Sequence, residues 1–86
     1  MILRWEAADL RRLVATMPYH LNQDLPASVR EHLPEHAQDI FRSAFNHAWD
    51  EYATRSDREA MAFRVAWAAV KRHYRKSGKS WIAIEP

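Results

Sequence analysis

The sequence predicts an all-α fold, mainly helical, with a minor two-stranded antiparallel element, and three observations carry the prediction. A stripe of apolar residues at helical spacing runs unbroken from Ala37 to Tyr52. Gly78 is the single glycine among 86 residues, which disfavours folds built on many tight turns. A short β-prone tail, Ser80 to Ile84, follows that glycine and needs a pairing partner to be stable.

Taken in order, residues 1–16 read as an N-terminal helical extension and residues 17–86 as the main domain with three core helices. In the extension, Leu3, Ala7, Leu10 and Val14 fall at helical spacing, which predicts a short amphipathic helix over Leu3–Ala15. Met17-Pro18 and the polar run Asn22-Gln23-Asp24 break that period, and Met17 offers a second start. Asp24-Leu25-Pro26 is a helix entry, because a proline in the first turn has no N–H to lose. The short helix it opens places Val29 and Leu33 on one side. Pro34 then closes it by pushing Leu33 out of the α region, and begins the next helix with Glu35 in its first turn.

In that next helix Ala37, Ile40, Phe41, Ala44, Phe45, Ala48, Trp49 and Tyr52 follow the helical period without a miss. Ser56-Asp57-Arg58-Glu59 has the spacing of a capping box and opens a final helix reaching about Lys76. Its stripe is Phe63, Ala66, Trp67, Val70 and Tyr74, widened by Ala62, Val65 and Ala69. The alanines let the Ala37–Tyr52 helix approach closely. Ser77-Gly78 ends the helix, since glycine tolerates the left-handed position there. The tail Ser80-Trp81-Ile82-Ala83-Ile84 is expected to pair with Pro18 to Leu21, tying the last helix to the start of the domain.

Composition narrows the function classes. Apolar residues make up 48% of the chain and aromatics 12%, enough for one compact core. The absence of cysteine excludes disulfides, thiolate chemistry and cysteine-based zinc sites, and suits a reducing compartment. No apolar run approaches the roughly 20 residues that span a bilayer, and charges interrupt residues 1–16, so a cytoplasmic location is expected. Net charge is +2 but uneven: Lys71 to Lys79 holds five basic residues and no acid, while Glu35 to Glu59 holds six acids against three arginines. An acidic side and a basic end follow, and such asymmetry bears on partner choice.

Several blocks in order resemble the ChaB family: Met17-Pro18-Tyr19, Asp24-Leu25-Pro26, Leu33-Pro34, His36-Ala37-Gln38-Asp39-Ile40, Ala44-Phe45-Asn46, Ala48-Trp49 and Ala66-Trp67-Ala68-Ala69-Val70-Lys71. They cover about Met17 to Tyr74. The family comprises small bacterial proteins named as cation transport regulators. The resemblance implies a helical fold with a small two-stranded element and a role beside a sodium/calcium–proton antiporter. It also implies a second possibility, since some viral relatives are described as binding single-stranded DNA. Residues 1–16 have no counterpart in the family pattern.

The candidate binding residues are Lys71, Arg72, Arg75, Lys76, Lys79 and Trp81. Cations interleaved with Tyr74 and Trp81 can meet phosphates and stack on bases, or dock on an acidic protein surface or anionic headgroups beside a transporter. A structural alternative is a helix C-terminus dressed with cations to offset its dipole. His32, His36 and His47 lack the spacing of a metal site, and no metal or cofactor is expected; His36 is expected to hydrogen-bond near a helix start. Glu35 with Asp39, and Asp50 with Glu51, sit on a wet face and offer no shifted acid–base pair, so no catalytic residue is assigned and the chain is read as non-enzymatic. Gln38 and Asn46 are read as amides that bond loop backbone to lock the helices, and Trp49 as core. Two functions remain open. One is a regulatory module binding a protein partner, such as a cation antiporter on its cytoplasmic face. The other is a single-stranded nucleic-acid binder using the basic end.

Overall fold

The computed structural model describes residues 18–84, and the predicted Leu3–Ala15 helix and the boundary at residues 16 and 17 lie outside them. Chain order is a 3₁₀ turn at Asn22–Asp24, helices α1 (Ala27–His32), α2 (Glu35–Glu51) and α3 (Arg58–His73), and strands β1 (Tyr74–Ser77) and β2 (Ser80–Ala83). The mainly helical fold with a small antiparallel sheet is as predicted.

The prolines at 26 and 34 flank helices rather than enter them. Pro26 and Pro34 hold extended ψ angles of 145° and 161°, and their carbonyls take the first helical bonds, from Val29, Arg30 and Gln38. Leu33, caught before Pro34, has φ −105° and ψ 136°, which is the extended geometry that proline imposes on its predecessor. Gln38 then closes the corner, its Nε2 donating to the Leu33 carbonyl at 2.9 Å and to the Arg30 carbonyl at 3.3 Å. One amide thus satisfies carbonyls that α1 leaves orphaned at its end.

α2 and α3 form an antiparallel pair, since Phe41 meets Trp67, Phe45 meets Phe63 and Trp49 meets Arg58 in reverse order. The buried core takes Val29, Leu33, Ala37, Phe41, Phe45, Ala48, Ala62, Ala66, Val70 and Tyr74 from the predicted stripes and adds Leu25. Ile40, Ala44, Trp49, Tyr52, Phe63 and Trp67 of those stripes are only partly buried. Alanines at 48, 62 and 66 admit the facing aromatics, so rings meet edge to face at 4.8 Å (Phe45–Phe63) and 5.1 Å (Phe41–Trp67). Burying each such ring stabilises the fold by about 1.5–3 kcal/mol.

The 3₁₀ turn is fastened to α2 by a network that the sequence reading missed. Asn22 Nδ2 donates to Asp39 Oδ1 at 2.7 Å, and Arg42 Nε donates to Asn22 Oδ1 at 2.8 Å. Arg42 Nη1 also donates to the His20 carbonyl at 3.2 Å. One turn further along α2, Asn46 holds both backbone groups of Tyr19, donating Nδ2 to its carbonyl at 2.6 Å and accepting its N–H at 3.3 Å.

Three local expectations are corrected. The stretch Pro18 to Leu21 is irregular, its backbone taken up by Asn46 and Arg42, and β2 pairs with β1 instead. The final helix stops at His73 rather than near Lys76, because Tyr74 turns extended (φ −136°, ψ 151°) and residues 74–77 become the partner strand. The capping box does not form. Asp57 flanks α3 with no side-chain cap, and its carboxylate is instead gripped by Arg55 in a fork of 2.8 Å and 3.0 Å. Hydrogen bonding to Arg55 holds the Asp57 carboxyl below its usual value, a depression that belongs to the charged form. Arg55→Ala is expected to return that carboxyl upward, read by the Asp57 carbon shifts against pH; an unmoved titration would refute the fork.

Candidate partner-binding surface

The basic end is built on a hairpin. Ser77 and Ser80 close a two-residue loop, Gly78-Lys79, with Gly78 at φ +63° and no positive φ at Lys79. That pattern suits a type II′ turn, whose first central residue needs the freedom of glycine. A Cβ placed at Gly78 would meet nothing within 4 Å, so only backbone conformation opposes one. Gly78→Ala is expected to cost about 1 kcal/mol, or about 4–8 °C in Tm. A Tm unchanged by Gly78→Ala would contradict the turn assignment.

The register sorts the predicted binding residues onto two faces. Arg75 lies opposite Ile82, and Lys76 lies opposite Trp81. Directly opposed residues share a face, and successive ones alternate. Lys76 and Trp81 therefore fall on the face of buried Tyr74, while Arg75 and exposed Ile82 fall on the other. The Ile84 N–H donates to the His73 carbonyl at 2.9 Å, which sets the alternation and leaves Lys76–Trp81 a non-hydrogen-bonded pair, where side chains approach closest. Lys79 is exposed at the loop, and Arg72 is exposed on the last turn of α3.

On the Tyr74 face, three neighbour pairs line an open depression of about 380 Å³: Ser28 and His32, Trp67 and Lys71, Lys76 and Trp81. Each pair follows from its element. The first two stand four residues apart on α1 and α3, hence side by side, and the third is the cross-strand pair. Trp81 packs on Trp67 with ring centroids 5.7 Å apart and an interplanar angle of 31°. His32 Nδ1 lies 2.6 Å from the Ser28 carbonyl. A carbonyl only accepts, so Nδ1 carries the hydrogen, and Nε2 is the nitrogen left for another partner.

Of the predicted residues, Lys71, Lys76 and Trp81 meet in the depression; Arg72, Arg75 and Lys79 do not line it. Ser28, His32 and Trp67 were missed as site residues. The spacing of Ser28 to His32 was readable, but nothing in it announces that α1 ends beside the hairpin.

The remaining polar candidates do not line the depression. Gln38 and Asn46 bond backbone as expected. Asp39 is taken by Asn22, while Glu35, Asp50 and Glu51 are exposed. His36 is exposed with its ring 6.3 Å from that of Tyr74, and the histidine bonded to helix backbone is His32 rather than His36. Trp49 is half-buried rather than fully core, stacked on Phe45 at 6.0 Å and covered by the Arg58 guanidinium 3.9 Å from its ring centroid. Among the described residues, no group of three His, Cys, Asp or Glu is placed to hold a metal ion.

The ChaB family model matches residues 25–83, which takes in the whole of α1, α2, α3 and the hairpin. The chain belongs to the ChaB family. A relative in Escherichia coli strain K12, named "Putative cation transport regulator ChaB", is 53% identical over 66 residues, covering 70% of this chain and 87% of the relative. A Shigella flexneri protein of the same name matches to the same extent. An NMR solution structure of a ChaB protein superposes with a TM-score of 0.70 at 48% identity, covering 79% of this chain and all of that one. The depression therefore lies wholly within the ChaB domain, since its outermost residues, Ser28 and Trp81, fall inside the matched span.

Proposed function

We propose that this ChaB chain is a non-enzymatic, cytoplasmic binding module that regulates a membrane cation antiporter of the sodium/calcium–proton kind by docking through its hairpin end. The observation that carries the reading is the depression, where Lys71, Lys76 and the Trp67–Trp81 pair sit together on the surface of the domain. Among the described residues neither lysine has a carboxylate within ion-pair distance. The name of the relatives supplies the process. A binding rather than chemical role draws support from the core block, whose amides and Asp39 are spent on holding the 3₁₀ turn and the helix corner. No helix among the described residues is long and apolar enough to cross a membrane, so the module would act on a transporter from outside the bilayer.

Single-stranded nucleic acid draws less support. Trp81 already spends one ring face on Trp67, and Arg72 and Arg75 lie away from the depression. A stacking platform needs open aromatic faces along a continuous basic groove. The test is antiport by everted vesicles from a strain deleted for its own ChaB gene, with and without added chain. A changed antiport rate supports the reading. An unchanged rate, together with oligonucleotide binding that falls steeply with salt, would replace it with the nucleic-acid function.

A further inference from the structure

We infer that the depression recognises a peptide segment in which a carboxylate neighbours an apolar side chain, the carboxylate meeting Lys71 and Lys76 and the apolar group lying on the tryptophan pair. This deepens the proposed docking function and rests on it for the identity of the partner, though not for the site itself.

The ligand class follows from the lining. The positive groups are the two lysines, Lys71 and Lys76, with Ser28 and His32 beside them. Among the described residues no arginine lines the depression, so none of them offers it the planar fork that favours bidentate phosphate recognition. Lys71 stands in the last turn of α3, and His32 is the last residue of α1. The carbonyl ends of α-helices carry partial negative charge, which suits a monoanion better than a phosphate dianion.

The second half of the ligand is set by the aromatic wall. Trp67 and Trp81 are each half-buried and lie against each other, and the parts of both rings that stay exposed line the depression together with the two lysines. Large aromatic anchors flanked by charges are typical of the centre of a protein-binding surface. Isolated acids would leave that wall wet, and a purely apolar segment would leave two lysines unmet.

The test is selection of short peptides from a random display library on the immobilised full chain, followed by affinity and ¹H–¹⁵N shift mapping of the recovered peptides. Enrichment of Asp or Glu next to Leu, Ile or Phe is expected, with shifts at Ser28, His32, Trp67, Lys71, Lys76 and Trp81. The Lys71→Ala/Lys76→Ala variant should bind about tenfold more weakly, while Arg72→Ala/Arg75→Ala should bind as the parent does. Its amide spectrum shows whether the lysine variant remains folded. Recovery of basic, neutral or phosphorylated peptides, recovery of none, or tighter binding to phosphatidylglycerol vesicles than to the acidic peptides would overturn the inference. Antiport regulation with no acidic peptide recovered would sink the inference alone. Acidic peptide binding with no effect on antiport would sink the antiporter reading alone.

Discussion

Replacing Phe45 by alanine is expected to remove most of the domain's stability. The Phe45 ring is 1% exposed and touches Tyr19, Phe41, Phe63 and Trp49, with centroids between 4.8 and 6.2 Å away. It is the junction at which the irregular start of the domain, α2 and α3 meet. Removing a buried phenyl costs about 3–5 kcal/mol, from lost transfer energy and the cavity left behind. Small domains commonly hold no more than about 5 kcal/mol in total, because they bury a limited share of their surface. Urea denaturation followed by circular dichroism measures the loss, and Phe45→Leu, which keeps most of the volume, should lose clearly less. A Phe45→Ala midpoint near that of the parent would show that the aromatic junction is not the centre of the core.

Asn46→Ala is the second large effect. Its amide serves both the N–H and the carbonyl of Tyr19, 27 residues away in sequence, at a partly buried site. Alanine leaves both backbone groups without that partner, a loss of about 1–3 kcal/mol. Aspartate should be no better, since it turns the donor facing the Tyr19 carbonyl into an acceptor. A second readout follows from the phenol. Burial first, and the Glu59 charge second, raise the Tyr19 pKa above 10.0. The folded state thus favours the neutral phenol. Its contribution is fully present below the ordinary tyrosine range and fades as pH rises through the raised value. If Asn46 holds Tyr19 in place, Asn46→Ala lowers that pKa toward the ordinary one, as the tyrosine ring carbons report. A lower stability with an unmoved Tyr19 titration would mean that the ring is held by Phe45 alone.

These two residues show how unevenly the molecule can be read from its sequence. Phe45 was legible, because a helical-period stripe declares its buried face without knowledge of what covers it. The helix limits set by Pro26 and Pro34 were legible to within a residue for the same local reason. The lock between Asn46 and Tyr19 was foreseen only as an amide bonding loop backbone, since its partner lies far away in the chain. The Asn22–Asp39–Arg42 network was not foreseen, because three polar residues on a surface carry no periodicity. The strand partner was misplaced for a different reason. Tyr74-Arg75-Lys76-Ser77 fits the end of a helix as well as a strand, and the type II′ turn at Gly78 decided the matter by bringing β2 straight back.

The candidate site divides along the same line. Five cations in nine residues mark the basic end, yet a strand separates alternate residues onto opposite faces, so Arg75 parts from Lys76. Read as a helix, those residues make one patch; read as a hairpin, Lys76 joins Trp81 and the α3 pair Trp67–Lys71. Three of the acids, Asp50, Glu51 and Glu59, lie toward the other end of the α2–α3 pair, whereas Glu35 opens α2 at the hairpin end, next to His36, whose ring lies 6.3 Å from that of Tyr74. Asp50 and Glu51 close α2, and Glu59 opens α3, about 18 Å along the helix from Lys71 at 1.5 Å per residue. The lysines of the depression and the acids Asp50 and Glu51 therefore stand at opposite ends of one helix pair.

That polarity supplies the most direct test of the hairpin end as the docking surface. Antiport by everted vesicles should be measured with equal amounts of the parent chain, Lys71→Glu/Lys76→Glu, and Asp50→Lys/Glu51→Lys, each first shown to be folded. Loss of the effect with the lysine reversals, and its retention with the acid reversals, is the predicted result. Retention with the lysine reversals and loss with the acid reversals would place docking at the opposite end of the domain and contradict the account.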